Sequence, residues 1–576
     1  MKSLLVYLKE YRKECVLSPL FKLFEAGLEL TVPLVMAALI DHSIANADRG
    51  SILRMCLLLV GIAAAGLVTA IAAQYFAAKA AAGFGKEVKR ALFQKIQTLA
   101  YSDLDQIGVS TLITRLTSDA NQAQTGVNLT LRLLLRSPFI VFGAAAMAFT
   151  VDTKAALVFA GAIPVLAVVI FAVMLVGIPL YRAAQERLDR ILSATRQTLV
   201  GARVVRAFHL EQKEIDSFER ENEALKRIQL RSGRIAALLN PATYVIINLA
   251  IALLIWIGAL RVNAGELTQG GVVALYNYMG QILVELVKLA SLIITVTKSI
   301  ASGNRIQSVL ERQPSMTAPA IAPEQPNTDI AVAFQNVGFR YHADAEEALS
   351  GVNLVVRRGQ TIGIIGGTGA GKSSLINLIP RFYDASEGEV LVNGNDVRQY
   401  PLDTLRGKIG IVPQSAALFR GTVRENIRWG KPDATDEEIW QALTLAQVQE
   451  AIATKGGLDI AIEQGGKNLS GGQMQRLTIA RALVRQPEIL ILDDSASALD
   501  YATDAALRRA IRSLPQNPTV FIVSQRASSL LQADQIVVLD DGVVAGIGTS
   551  EELLKSCPIY REIYDTQFAQ GGASHA

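Results

Sequence analysis

Ile489-Leu-Ile-Leu-Asp-Asp-Ser-Ala-Ser-Ala-Leu-Asp500 sets four apolar residues directly before two consecutive carboxylates. A short apolar run bounded by small and polar residues reads as a buried strand. Its end then places Asp493 and Asp494 at the edge of a sheet. Upstream, Thr361-Ile-Gly-Ile-Ile-Gly366 is a second β-rich run, and Lys372 to Ile379 reads as a helix. Between them lies a glycine loop, and strand, loop and helix in that order define an α/β domain in this part of the chain.

The loop reads Gly366-Gly367-Thr368-Gly369-Ala370-Gly371-Lys372-Ser373-Ser374. Its glycines let backbone N–H groups wrap phosphates, Lys372 reaches toward the outer phosphates, and Ser373 offers a hydroxyl to Mg²⁺. The helix N-terminus adds a favourable dipole for an anion. A carboxylate at the edge of the second strand, Asp493, is placed to hold Mg²⁺ through water.

The bulk numbers divide the chain. At 576 residues it is long enough for two or more domains. Apolar residues make up 51% and charged residues 19%, an apolar excess over an ordinary soluble protein. Nearly all the long apolar runs fall before residue 300. The formal net charge of +4 is too small at this length to argue for nucleic acid. Cys15, Cys56 and Cys557 are scattered and odd in number, so neither a disulfide framework nor a zinc spacing is present. His42, His209, His342 and His575 do not cluster into a metal site. The basic start of the chain lacks a short apolar core followed by a cleavage site, so a signal peptide is not expected. Tyr7 to Glu14 reads as an amphipathic surface helix leading into the first apolar run.

Six segments are long and apolar enough to cross a bilayer: about 16–40, 52–78, 129–151, 155–180, 242–262 and 269–300. The connections after the first, third and fifth are short and hold one basic residue each, Arg49, Lys154 and Arg261. The connection after the fourth holds twelve lysines and arginines between Arg182 and Arg234. The positive-inside rule places the long connections and both termini in the cytoplasm, which predicts a multi-pass protein of the inner membrane. The long connections read as helices continuing past the membrane, with turn-like stretches at Tyr101–Gly108 and Leu199–Phe208. Ionisable residues inside spans are costly and often functional. Glu25 and Glu29 lie one helical turn apart in the first span, and Glu285 and Lys288 lie three apart in the sixth. The second pair has the spacing of a local ion pair. The two glutamates require an external partner or line a cavity for a polar or cationic substrate.

Arg312 to Asp329 is rich in proline and small residues and reads as a linker. The expected order is a transmembrane domain over 1–311, a linker over 312–329, an α/β domain over 330–570 and a disordered tail over 571–576.

Taken together, the glycine loop, Leu469-Ser470-Gly471-Gly472-Gln473 and the Ile489–Asp494 run resemble the Walker A, signature and Walker B motifs of an ABC ATPase. With six spans and two long cytoplasmic loops, the chain resembles an ABC exporter half-transporter. The fold this implies is a membrane all-α domain of six helices with long cytoplasmic extensions, followed by a cytosolic α/β P-loop ATPase domain. The resemblance implies ATP and Mg²⁺ as cofactors. It makes Gln414 the Q-loop residue, which senses the metal and contacts the coupling helices, and Tyr341 the aromatic that stacks on adenine. It makes the two turn-like stretches coupling helices, and Ser497 to Asp500 the D-loop, with Asp500 among the catalytic residues. It also implies that Leu469–Gln473 approaches the γ-phosphate held by an opposite subunit, so that one copy cannot complete a site.

Two positions depart from the family pattern. A glutamate usually follows the Walker B aspartate, and here Asp494 is one methylene shorter. A general base must come within about 2.6–3.2 Å of the water it activates, and the shorter side chain is expected to fall short. The switch segment usually carries a histidine before an arginine, and here Gln525 precedes Arg526. Glutamine hydrogen-bonds but does not become a cation, so its stabilisation of transition-state charge is weaker. With the signature intact, the pattern resembles the degenerate-site half of a heterodimeric multidrug-type exporter. The expected partners are a second, non-identical half-transporter with the glutamate and histidine intact, the lipid bilayer, and a hydrophobic small-molecule or lipid substrate. A homodimer with two slow sites and an ATP-gated channel-like protein are the alternatives. A soluble ABC protein of DNA repair is excluded by the six spans.

Overall fold

The computed structural model describes residues 3–571 apart from 325, 327, 343 and 496–498. The chain forms two compact units. One comprises Met1–Gln97 and Val109–Arg312, the other Thr98–Gly108 and Gln313–Ala576.

The first unit is built from α1 (Ser3–Ile44), α2 (Arg49–Thr98), α4 (Val109–Val151), α5 (Thr153–Val200), α7 (Glu211–Asn263) and α8 (Gln269–Leu310). Two short helices interrupt this series: α3 (Tyr101–Ile107), which belongs to the second unit, and α6 (Ala202–Ala207). The six long helices have 42 to 53 residues. At a rise of 1.5 Å per residue they are about 60–80 Å long, roughly twice the ~30 Å hydrocarbon core. They therefore contain the predicted spans and extend well past them. Only 6% of the most apolar window of α2 is buried within the chain, an apolar surface suited to lipid or to a partner helix rather than to water. Inside the bundle, small residues such as Ala73, Ala77, Ala80 and Ala144 are fully buried and let the backbones approach closely. At Gly83 the approach is so tight that an added Cβ would lie 2.1 Å from the Tyr11 ring.

One sequence expectation is corrected in these helices. The amphipathic entry helix is a 3₁₀ segment, Ser3–Tyr11, that runs into the α-helix at Arg12 without a break. The two turn-like stretches contain the short helices that the resemblance implies, Tyr101–Ile107 and Ala202–Ala207. In α3, the Asp103 carboxylate accepts from the Ala100 N–H at 3.2 Å, and Gly108 at φ 79° ends the helix. Both features are a matter of capping rather than of hydrophobic period, which seven residues are too few to show.

The charged residues singled out in the spans, Glu25, Glu29, Glu285 and Lys288, are paired. Arg136 of α4 donates to Glu285 of α8 at 2.6 Å and to Glu29 of α1 at 2.6 Å. Ser137 donates to the other Glu285 oxygen at 2.8 Å, and Lys288 donates to Glu285 at 2.9 Å. Glu25 is held by Lys22, one turn away, at 2.6 Å. The local Glu285–Lys288 pair is present as its spacing predicts. The external partner that Glu29 requires is Arg136.

The second unit carries two main sheets. β1 (Ile330–Phe339), β2 (Leu349–Arg357), β4 (Glu387–Val392) and β5 (Asn395–Asp396) form an antiparallel sheet in the order β2-β1-β4-β5. β3 (Thr361–Gly366), β6 (Ile409–Val412), β9 (Ile489–Asp493), β10 (Thr519–Val523), β11 (Gln535–Asp540) and β12 (Val543–Gly548) form the other, in the order β12-β11-β3-β10-β9-β6. A small pair, β7 (Gly421–Thr422) and β8 (Ala461–Ile462), completes the strands among the described residues. From β11 to β6 the second sheet is parallel. Every residue of β9 and β10 is buried, as expected for parallel strands covered on both faces. This is why the Ile489–Leu492 run shows no polar alternation. The glycine loop leads into α9 (Lys372–Leu378), and the helical part includes α10 (Asp436–Leu445), α11 (Gly471–Leu483) and α12 (Tyr501–Arg512). The described residues of 312–329 form neither helix nor strand. A final helix, Pro558–Gly571, runs into the stretch expected to be a tail, whose residues 572–576 lie outside the described residues.

Candidate nucleotide site

In an open parallel sheet, ligands bind beyond the carboxyl ends of the strands. Four adjacent strands, β3, β10, β9 and β6, deliver the predicted residues to that edge. The glycine loop follows β3, Gln525 lies two residues past β10, Asp493 ends β9 with Asp494 next, and Gln414 lies two residues past β6. A cavity of about 330 Å³ is lined by Tyr341, Thr368–Ser374, Gln414, Asp493, Asp494 and Gln525, together with Ala348 and Val523.

The loop's shape depends on its glycines. Gly369 and Gly371 have φ of 88° and 91°, a region that side chains disfavour. At Gly371 a Cβ would also lie 2.5 Å from the Ala348 carbonyl oxygen. Gly371 caps α9 without a side chain, so the first N–H groups of α9 have no local side-chain acceptor and are available to an anion. The Lys372 ammonium donates to the Gly366 carbonyl at 2.9 Å and to that of Gly367. Burial holds its pKa below the usual lysine value, with Asp494 and Asp493 opposing.

The Ser373 hydroxyl donates to Asp493 at 3.2 Å. Burial pushes the Asp493 carboxyl above its usual range, the Ser373 bond opposes this, and Asp494 adds repulsion. Asp494 is likewise pushed up by burial, against Lys372, Arg526 and a hydrogen bond from Gln414. It has φ 45°, a left-handed conformation that aspartate tolerates better than most residues. Its N–H donates to Val523 O at 3.0 Å, which ties it to β10. A buried lysine, a buried carboxylate and a half-buried one thus share the cavity, each disfavoured in its charged form by desolvation, a combination that marks a functional-site candidate.

Tyr341 is 39% exposed at the rim, and its hydroxyl shares a 2.9 Å hydrogen bond with that of Ser374. Its ring meets Phe339 and Tyr383 edge-on, with centroids 4.7 and 5.2 Å away.

The structure does not bring every predicted residue to this cavity. Leu469–Gln473 does not line it. Ser470 is exposed and caps α11. Its hydroxyl accepts from the Gln473 N–H at 3.3 Å, while the Gln473 side chain accepts from the Ser470 N–H at 3.2 Å. This reciprocal capping box fixes the start of the helix. Asp500 is also outside the cavity. It caps α12 by accepting from the N–H and the hydroxyl of Thr503, both at 2.9 Å, and these bonds hold its pKa low. Ser497 and Ala498, the start of the expected D-loop, lie outside the described residues. Sequence reading missed Tyr383, which carries no periodic or motif signal of its own, and the electrostatic contribution of Arg526 to Asp494.

Comparison with known proteins agrees with this geometry. Residues 15–286 match the ABC transporter transmembrane region, and residues 349–497 match ABC transporter. The uncharacterized ABC transporter ATP-binding protein YfiB of Bacillus subtilis is 35% identical over 574 residues, with 100% of both chains covered. The ATP-dependent lipid A-core flippase of Desulfotalea psychrophila is 32% identical over 483 residues, 84% of each chain. A solved bacterial Atm1-family ABC exporter with ATP bound shares the fold, with a TM-score of 0.80 and 24% identity over 96% of this chain and 98% of that one. The chain therefore belongs to the ABC transporters and carries a transmembrane region and an ATPase domain on one polypeptide.

Proposed function

We propose that the chain is one half of an ATP-driven exporter for hydrophobic or amphipathic, lipid-like substrates, and that its own ATP site hydrolyses slowly. ATP binds with its phosphates on the Gly366–Gly371 loop, Lys372 and Ser374, and with its base on Tyr341. Ser373, Gln414 and Asp493 offer only oxygen donors, the set that Mg²⁺ takes, and they would hold the ion that neutralises phosphate charge. The flippase relative supports a lipid-like substrate, and the six long helices support multi-pass placement in the cytoplasmic membrane.

The observation that carries the slow-site reading is Asp494. Its short side chain stands where a glutamate would activate water, and it is engaged by Gln414 and resists ionisation. Gln525 lines the same cavity and supplies no cation. The exposed, ready-capped start of α11 supports a role for Leu469–Gln473 at another subunit's phosphates. A partner with the complete glutamate and histidine then performs most turnover, with this chain's signature in its active site.

Two measurements test this. The purified chain alone should turn over ATP far more slowly than its native complex, and Asp494→Ala should barely change the complex. Native mass measurement of the membrane complex should find two different half-transporters. Equal copies of one chain would replace the heterodimer with a homodimer of slow sites, and full-rate hydrolysis by the chain alone would overturn the slow-site reading.

A further inference from the structure

A second contact route leaves the cavity, from the base side rather than the phosphate side. It begins at Tyr341, whose hydroxyl is tied to Ser374 at 2.9 Å. The Tyr341 ring stands edge-on to Tyr383, with centroids 5.2 Å apart at 83°. Tyr383 donates its hydroxyl to Asp105 of α3 at 2.7 Å and also meets the ring of Tyr101, 6.3 Å away. Burial, reinforced by the bond to Asp105, raises the Tyr383 phenol well above its usual value, so it remains a donor across physiological pH. Three residues in contact thus connect the rim of the cavity with the short helix of the first cytoplasmic connection.

The segment that carries Tyr383 is held stiffly. Arg381 is 3% exposed, at φ 52°, and its guanidinium bonds Asp384 at 2.6 Å and the Thr317 carbonyl at 3.1 Å. Arg406 bonds the carbonyls of Pro380 and Arg381 and lies over the Phe382 ring at 5.4 Å. Phe382 in turn packs on Tyr101 at 4.7 Å. Asp103 ties α3 to the start of the linker by accepting from the Ser315 N–H at 3.0 Å. With its backbone fixed in this way, a change in the plane of Tyr341 reaches Tyr383 as a ring displacement, which the loop cannot absorb. Packed aromatic contacts of this kind have a few discrete arrangements rather than a continuum.

We propose that Tyr383 is a positioning residue that transmits occupancy of the base pocket to α3, so that coupling depends on the base as well as on the phosphates. This rests on the ATP-binding reading of the cavity. A base stacked on Tyr341 fixes that ring, Tyr383 follows, and its bond to Asp105 sets the orientation of α3. A ligand that fills only the phosphate loop leaves Tyr341 unconstrained and α3 uninformed.

The test measures hydrogen exchange of the 98–108 amides in the full chain within its membrane complex. Saturating MgATP should slow exchange there several-fold, and magnesium tripolyphosphate, which has no base, should not. Tyr383→Phe keeps the ring and removes the hydroxyl. It should bind ATP within about twofold of wild type, because Tyr383 does not line the cavity, yet lose the ATP-dependent change in α3. Asp105→Ala, which removes the acceptor, should lose it as well. If the bond merely anchored α3, exchange in these variants would rise equally with and without nucleotide and the several-fold difference would persist, which would overturn the proposal. So would a full response to tripolyphosphate. Failure of wild type to bind ATP at all would remove the ATPase reading and the relay together, whereas normal binding with an unaltered Tyr383→Phe response removes the relay alone.

Discussion

Two helices of the ATPase unit begin at glycine-rich segments, yet their starts are built in opposite ways. α9 begins at Gly371, without a side-chain cap, inside a cavity lined by Lys372, Asp493 and Asp494. α11 begins at Ser470, with a complete capping box, on an exposed surface. The first leaves its amides open and surrounds them with charge. The second satisfies its leading amides internally and points outward. On the proposed reading, the first start is completed by the phosphates of a nucleotide, whereas the second serves a neighbour and is stable before the neighbour arrives. The same contrast separates the two short helices of the long connections. α3 is fastened within the ATPase unit through Asp103 and Asp105. Along α6 and its flanks, Leu199, Val200, Val204 and Phe208 are 57–85% exposed.

Lys372→Ala breaks the first side of this comparison with the largest effect. It removes the ammonium from the phosphate loop, and charge-assisted hydrogen bonds of this kind contribute roughly 1.5–3 kcal/mol each. Two such bonds correspond to a loss of about 100-fold or more in nucleotide affinity, read by titration of the purified chain with a fluorescent ATP analogue. Ser470→Asp probes the other side. Aspartate caps a helix as well as serine does, so folding is retained, but its charge now faces an incoming phosphate. The chain's own ATP affinity should not move, while turnover of the complex should fall about 30-fold or more, comparable to loss of a transition-state donor. A fall in the chain's own affinity would mean that the signature serves its own site, and the comparison would collapse.

How much of this was legible in the sequence follows from the range of the interactions. The strand, loop and helix around Lys372 and the apolar run before Asp493 are local patterns, and both fold as their residues predict. The parallel order β3-β10-β9-β6 that unites Gln414, Asp494 and Gln525 is not local, and no part of the sequence reading supplied it. Arg136 was overlooked because it is a single cation beside an apolar run, and its partners Glu29 and Glu285 lie 107 and 149 residues away. Asp500 was read as catalytic, although Thr503, three residues on, gives it a capping role that the spacing alone could have revealed. The assignment of α3 to the ATPase unit depends on Phe382, Tyr383 and Ser315, which no period or motif connects to residues 101–107.

Asp494→Glu sharpens the comparison from within the cavity. The longer carboxylate gains about one methylene of reach toward an attacking water, and a well-placed general base contributes roughly 10²–10⁴-fold. With Gln525 unchanged, hydrolysis at this chain's own site should rise about tenfold, measured as phosphate release by the chain in a complex whose other site carries the Lys-to-Ala change. Adding Gln525→His should raise it further. If Asp494→Glu left the rate unchanged, the short side chain would not be what limits the site.

The smallest expected effect concerns the charges that α9 faces. Burial raises the Asp493 carboxyl above its unfolded value, so the folded, nucleotide-free chain binds a proton more readily there than the unfolded chain does. A raised acid of this kind costs stability while it is ionised at neutral pH, and the cost is relieved as pH falls through the folded pKa toward the unfolded one. Asp493→Asn removes the titration while keeping the shape. Without nucleotide, wild type should therefore gain stability relative to Asp493→Asn as the pH falls from neutral toward the ordinary carboxylate range, by about 1 kcal/mol or less. Matched thermal melts of the two proteins read the difference, and general pH effects cancel between them. With saturating MgATP the pH dependence should vanish, because the bound charges hold Asp493 ionised. Ser470→Asp on the exposed helix start should show no such nucleotide dependence. If the wild-type difference ran the other way, toward higher stability at neutral pH, Asp493 would be a carboxylate already satisfied by its own chain. The cavity at α9 would then be closed on itself rather than built to be completed by a ligand.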